Sequence, residues 1–131
     1  DRMTFIRLIA EKEGVTPDHI LLGAGSTELL NAASWYFAYQ TKGKLIAGDL
    51  TYESLVRTAN MHGGECDRIP LTKDFQLDLK GMAASLGSAH SMVYLCNPNN
   101  PTGVLSDPDE LQKFCEMASV KMPVFIDEAY I

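Results

Sequence analysis

Met92-Val93-Tyr94-Leu95-Cys96-Asn97-Pro98-Asn99-Asn100-Pro101-Thr102-Gly103 is the stretch on which the fold turns. A run of apolar, strand-forming residues meets two prolines, three asparagines and a glycine within the eight positions from Cys96 to Gly103. Each proline fixes its own φ and biases the residue before it away from the helical region. Asn97 and Asn100 are therefore expected to be extended, with their amides projecting from the turn. A strand from Ser91 to Cys96 that is halted in this way can aim a side chain.

The flanking sequence supplies a layered architecture. Lys44-Leu45-Ile46-Ala47, the segment from Glu65 to Leu71, and Val124-Phe125-Ile126 read as further short strands, and Ile20-Leu21-Leu22 as an earlier one. Helices are expected between them: Arg2 to Glu13, with Phe5, Ile6, Leu8 and Ile9 mostly on one face and Gly14 as its stop; Leu29 to Tyr39, dense in apolar residues and expected to be largely buried; and a third with Leu55, Val56 and Ala59 inward, ended by His62-Gly63-Gly64. Asp78 caps a fourth through Leu79, Met82 and Leu86 to Gly87, and Ser106 with Asp109 resembles a capping box for a fifth that turns Leu111, Phe114, Cys115 and Ala118 inward. Short apolar strands alternating with helices indicate βαβ units and a sheet covered on both faces. The expected class is α/β, a three-layer α/β/α sandwich with a mostly parallel sheet.

Composition bounds the function. The chain has 131 residues, 46% of them hydrophobic, enough for one core, and its net charge of -6 argues against an electrostatic nucleic-acid binder. No apolar run approaches the roughly 18 to 20 residues of a membrane span, and no charged-then-apolar leader opens the chain, so a soluble, cytoplasmic protein is expected. Cys66, Cys96 and Cys115 are odd in number and set among apolar residues, which suits reduced, packed thiols; no Cys or His spacing indicates a zinc site. His19, His62 and His90 are scattered.

The octet Cys96 to Gly103 resembles the Asn-Pro-x-x-Pro-Thr-Gly turn of the class I/II aminotransferases, fold type I enzymes dependent on pyridoxal 5'-phosphate (PLP). Asp127-Glu128-Ala129-Tyr130, after Val124-Phe125-Ile126, is similar to their Asp-x-x-Tyr signature, and the histidinol-phosphate aminotransferase branch is the nearest in pattern. With the glycine turn at Gly23 to Ser26, the likeness runs through nearly the whole chain. It implies that Gly25, Ser26 and Thr27 bind the cofactor's phosphate, that Asp127 pairs with the ring nitrogen, that Asn100 and Tyr130 donate to its phenolic oxygen, and that Tyr52 stacks on the ring. Asn97 and Asn99 are left to shape the turn.

The same resemblance implies a homodimer acting on a small-molecule amino donor and a 2-oxo acid, such as histidinol phosphate and 2-oxoglutarate. It also marks residues 1–131 as part of the PLP-binding large domain, without the small domain or the lysine that bonds the cofactor. Lys12, Lys42, Lys44, Lys73, Lys80, Lys113 and Lys121 lack that lysine's context, so no catalytic residue is assigned and turnover by this piece alone is not expected. The first strand would then be separated from the others by strands that come later in sequence. Residue by residue, plainer roles remain open: Ser26 as an ordinary N-cap, Asp127 as a strand-end cap, Tyr52 as a core aromatic. Two other functions also remain open. One is a decarboxylase, lyase or condensing enzyme on the same cofactor cradle; the other is a nucleotide-binding doubly wound domain in which Gly23-Ala24-Gly25 cradles a diphosphate and Asp49 holds a ribose.

Overall fold

In the computed structural model β1 (Lys44–Gly48), β2 (Cys66–Ile69), β3 (His90–Cys96) and β4 (Val124–Asp127) form one sheet in the order β2-β1-β3-β4, each neighbour parallel. The structure describes residues 1–131, and the side chains of all but residues 38 and 39. Leu45 lies opposite both Cys66 and Met92, Tyr94 opposite Phe125, and Cys96 opposite Asp127. Because side chains alternate across a strand, this register sorts the core into two layers.

Leu45, Ala47, Met92, Tyr94 and Cys96 face one side, where they pack against Leu30 of α2 (Ser26–Ser34) and Leu55, Val56 and Ala59 of α3 (Ser54–Met61). Ile46, Val93 and Leu95 face the other, against Leu79 and Met82 of α4 (Leu79–Ser85) and Phe114 and Ala118 of α5 (Pro108–Ser119). This is the three-layer arrangement expected. The sheet residues Leu45 to Ala47 and Met92 to Leu95 are all fully buried.

Local chemistry sets the helix ends. The Asp1 carboxylate accepts from the Thr4 N–H at 2.9 Å to open α1 (Arg2–Glu13), and Gly14 closes it at φ 67, a left-handed conformation that suits glycine. Asp78 caps α4 through the Gly81 N–H at 2.9 Å. For α5 the cap is Asp107 rather than Ser106: its carboxylate accepts from the Asp109 and Glu110 N–H groups, both at 3.0 Å, with Pro108 in the first helical position. Ser106 is engaged elsewhere, its N–H donating to Asn97 Oδ1 at 2.8 Å.

Other expectations are corrected in the same way. Ile20-Leu21-Leu22 forms no strand: a 3-10 turn at Pro17–His19 precedes it, and no neighbour among the described residues supplies a ladder for its backbone groups. Gly25, at φ 78, occupies the cap position of α2, which places Ser26 inside the first turn instead of at the N-cap. That helix continues as a π-helical turn, Trp35–Gln40, and is less buried than its composition suggests, with Trp35 and Tyr36 about half exposed while Leu30 and Ser34 are enclosed. α1 buries only Ile6 and Ala10 and leaves Phe5 and Leu8 in solvent. β2 stops at Ile69, because Pro70 has no N–H to give the ladder, and α4 stops at Ser85.

All three cysteines are free thiols, Cys96 buried and the others half-buried. Burial pushes the Cys66 thiol up to about 11. Two outcomes follow from this packing. Alkylation of Cys66 should be slow near neutral pH and continue to accelerate as pH rises towards that value, since only the thiolate reacts; a rate that levels off near pH 9 would contradict its burial. Leu55→Ala, which empties a fully enclosed site between α3 and the sheet, should cost roughly 2 to 5 kcal/mol in urea unfolding.

Candidate functional site

Parallel strands all leave the sheet at the same edge. The segments that follow β1, β3 and β4 are therefore gathered there: Leu50 to Tyr52, the turn from Asn97 to Gly103, and Glu128 to Tyr130. In doubly wound sheets this C-terminal edge is where ligands are held.

Asp127 ends β4, and its register opposite Cys96 directs its side chain to the α2–α3 layer, where it is 6% exposed. A buried carboxylate needs donors. The Tyr94 hydroxyl donates to Oδ2 at 3.3 Å and the Ala129 N–H to Oδ1 at 3.2 Å. Burial, reinforced by Cys96 and Asp127, holds the Tyr94 phenol far above its ordinary range, so it remains a donor. Sequence reading missed Tyr94. The signal was period two: a residue two before the strand end faces the same side as that end, and so reaches the strand-end side chain of the neighbouring strand.

The turn after β3 is cross-linked from within. Both X–Pro peptides, Asn97–Pro98 and Asn100–Pro101, are cis. Asn99 is 2% exposed; its Nδ2 donates to the Leu50 carbonyl at 2.9 Å and to Thr102 Oγ1 at 3.0 Å, and its N–H donates to the Val104 carbonyl at 2.9 Å. The Asn100 N–H meets the Cys96 sulfur at 3.4 Å, and Asn100 Nδ2 donates to the Tyr130 hydroxyl at 3.2 Å. Gly103, at φ 70, lets the chain leave.

Asn100 and Pro101 stand between two hollows. One, of about 520 Å³, is walled on its other side by Thr51, Tyr52 and Arg57; the second, of about 290 Å³, by Tyr130 and Pro98. The structure thus brings Tyr52, Asn100 and Tyr130 to one edge of the sheet, Asn100 shared by the two hollows, with Asp127 buried at the end of β4. Gly25, Ser26 and Thr27 stand apart, exposed at the N-terminus of α2, with no hydrogen bond among the described residues to the other four. α2 packs on α3, the helix after Tyr52, through Asn31 Oδ1, which accepts from Ser54 Oγ at 3.1 Å and Thr58 Oγ1 at 2.8 Å, so the glycine turn belongs to the same layer. The Glu28 carboxylate folds back onto the Ala24 N–H. A larger cleft, about 690 Å³, opens at the opposite edge, where Lys44 pairs with Glu65 at 2.8 Å and His90 Nε2 meets Asp67 Oδ2 at 3.1 Å.

The sequence and the fold have known counterparts. Residues 3–131 match the aminotransferase class I and II family. The chain belongs to that family. It is 40% identical to histidinol-phosphate aminotransferase 2 of Carboxydothermus hydrogenoformans over 93% of this chain and 33% of that protein. It is 34% identical to the histidinol-phosphate aminotransferase of Escherichia coli O1:K1 over 93% of this chain and 34% of that one. The solved structure of histidinol-phosphate aminotransferase from Sinorhizobium meliloti in complex with pyridoxal-5'-phosphate superimposes at a TM-score of 0.80 with 25% identity, covering 95% of this chain and 34% of that chain. The chain spans about a third of the length of these relatives.

The aminotransferase assignment displaces the nucleotide-binding reading. So does the geometry: no strand leads into Gly23-Ala24-Gly25, which a diphosphate-binding turn requires. A test of the buried pair follows. Tyr94→Phe removes a donor to an enclosed carboxylate and should lower stability by roughly 1.5 to 3 kcal/mol in denaturant unfolding, whereas no loss would mean that Asp127 is served without it.

Proposed function

We propose that residues 1–131 form part of the large domain of a PLP-dependent aminotransferase, and that Gly25, Ser26, Thr27, Tyr52, Asn100, Asp127 and Tyr130 hold the cofactor. The observation that carries this reading is the 3.2 Å bond from Asn100 Nδ2 to the Tyr130 hydroxyl, which joins residues thirty positions apart beside a buried carboxylate. The donor set fits the cofactor. Asn100 retains a second amide N–H, and Tyr130 has its own O–H, so two donors are available to one phenolate oxygen. Asp127 offers an acceptor that favours a protonated ring nitrogen.

When bound, PLP supplies an electron sink for the bond broken at the donor's α-carbon. The protein's own residues do the rest. Asp127 holds a proton on the ring nitrogen, Tyr94 keeps that carboxylate oriented, Asn100 and Tyr130 favour the deprotonated phenolic oxygen, and Tyr52 packs on the ring face. Gly25, Ser26 and Thr27 offer N–H and hydroxyl donors to the phosphate at the positive end of α2.

The parent enzyme is proposed to move an amino group between an amino-acid-like donor and a 2-oxo acid such as 2-oxoglutarate, as a cytoplasmic homodimer. Histidinol phosphate is the donor that the names of the relatives suggest. The lysine that bonds the cofactor and the small domain are placed in the remainder of that longer protein. In the full-length enzyme, Asp127→Ala should leave the fold intact and reduce kcat/KM by at least about a hundredfold, the equivalent of roughly 2.7 kcal/mol. Near-normal turnover would remove Asp127 from its role.

A further inference from the structure

We infer that Asn99 is a positioning residue for the cofactor-facing pair: its enclosed carboxamide ties the segment that ends in Tyr52 to the turn that carries Asn100, and so sets the width of the cleft between them. This rests on the PLP reading above. Tyr52 and Asn100 belong to different loops, one after β1 and one after β3, and nothing in the strand ladder extends to either. Their spacing must be set by side chains.

Asn99 Nδ2 spends its two N–H groups on the Leu50 carbonyl, two residues before Tyr52, and on Thr102 Oγ1. Its main chain is pinned as well, the N–H on the Val104 carbonyl and the carbonyl accepting from the Gly103 N–H at 2.6 Å. Thr102 passes the tie on, through Oγ1 to the Phe75 carbonyl at 3.4 Å. The buried amide thus ties the loop after β1 to the turn after β3.

The orientation of that amide is forced. The Leu50 carbonyl can only accept, so only the nitrogen can face it, and the amide oxygen is left with no donor among the described residues. A second link between the loops runs through the Cys96 sulfur, which meets the Tyr52 and Asn100 N–H groups, the latter at 3.4 Å, but a thiol sulfur is a weak acceptor. The short, directional bonds are those of Asn99.

Asparagine is therefore specified here in a way that aspartate, of the same shape, cannot meet, since a carboxylate would turn an acceptor towards the Leu50 carbonyl. The test uses the full-length protein and two variants, Asn99→Asp and Thr102→Val. By amide hydrogen exchange without cofactor, Asn99→Asp should speed exchange across residues 50–54 about tenfold while the sheet keeps the parent's rates, and Thr102→Val should do so less. In PLP titrations Asn99→Asp should weaken binding about tenfold and move the pH midpoint of the bound cofactor's absorbance upward by about half a unit or more, because displaced donors no longer favour the deprotonated oxygen.

Unchanged exchange at residues 50–54 would overturn the tie. Faster exchange with unchanged affinity and midpoint would reduce Asn99 to a structural role and overturn the positioning claim. Should Asn99→Asp not fold, Thr102→Val decides by the same two readouts. If the parent itself takes up no PLP, the proposed function fails, while the exchange experiment still judges the tie by itself.

Discussion

β3 is hydrogen-bonded on both sides, to β1 and to β4, and both neighbours run parallel to it. Every other feature of the site depends on that constraint. Parallel partners oblige each strand to deliver its chain at one edge, and a strand enclosed on both faces cannot shift register without carrying Tyr94 and Cys96 from the α2–α3 layer to the other. Fixed register is what places Asp127 opposite Cys96 and within reach of the Tyr94 hydroxyl.

The polar chemistry is correspondingly layered in depth. Deepest is the Tyr94–Asp127 pair, anchored in the core cluster itself. Above it lies the turn after β3, held by Asn97 to the start of the α5 connection and by Asn99 to the loop after β1. Outermost are Asn100, Tyr130 and Tyr52, which line the two hollows at this edge. Each layer is oriented by the one beneath it, so the exposed donors inherit their positions from a rigid sheet even though they sit on loops.

What could be read from the sequence divides along the same line. The layered α/β class, the strands at Lys44, Ser91 and Val124, and the inward faces of α3 and α5 were legible because hydrophobic period and turn chemistry are local. The Asn100–Tyr130 meeting was legible only through the family likeness, since nothing local relates residues thirty apart. Ile20-Leu21-Leu22 misled because an apolar triplet specifies a strand only where a partner edge exists. Ser106 misled because two candidate caps stood side by side, and the choice was made by a tertiary contact to Asn97. Tyr94 was passed over as a core aromatic, which it also is; that its hydroxyl serves a carboxylate follows from cross-strand register, which a single chain does not display.

The claim at the centre is that this edge of the sheet seats the cofactor, and a crystal structure of the full-length protein with PLP tests it most directly. The ring nitrogen is expected within hydrogen-bonding distance of the Asp127 carboxylate, and the phenolic oxygen within reach of Asn100 Nδ2 and the Tyr130 hydroxyl. PLP bound elsewhere, or seated at this edge with Asp127 turned to Tyr94 alone, would contradict it.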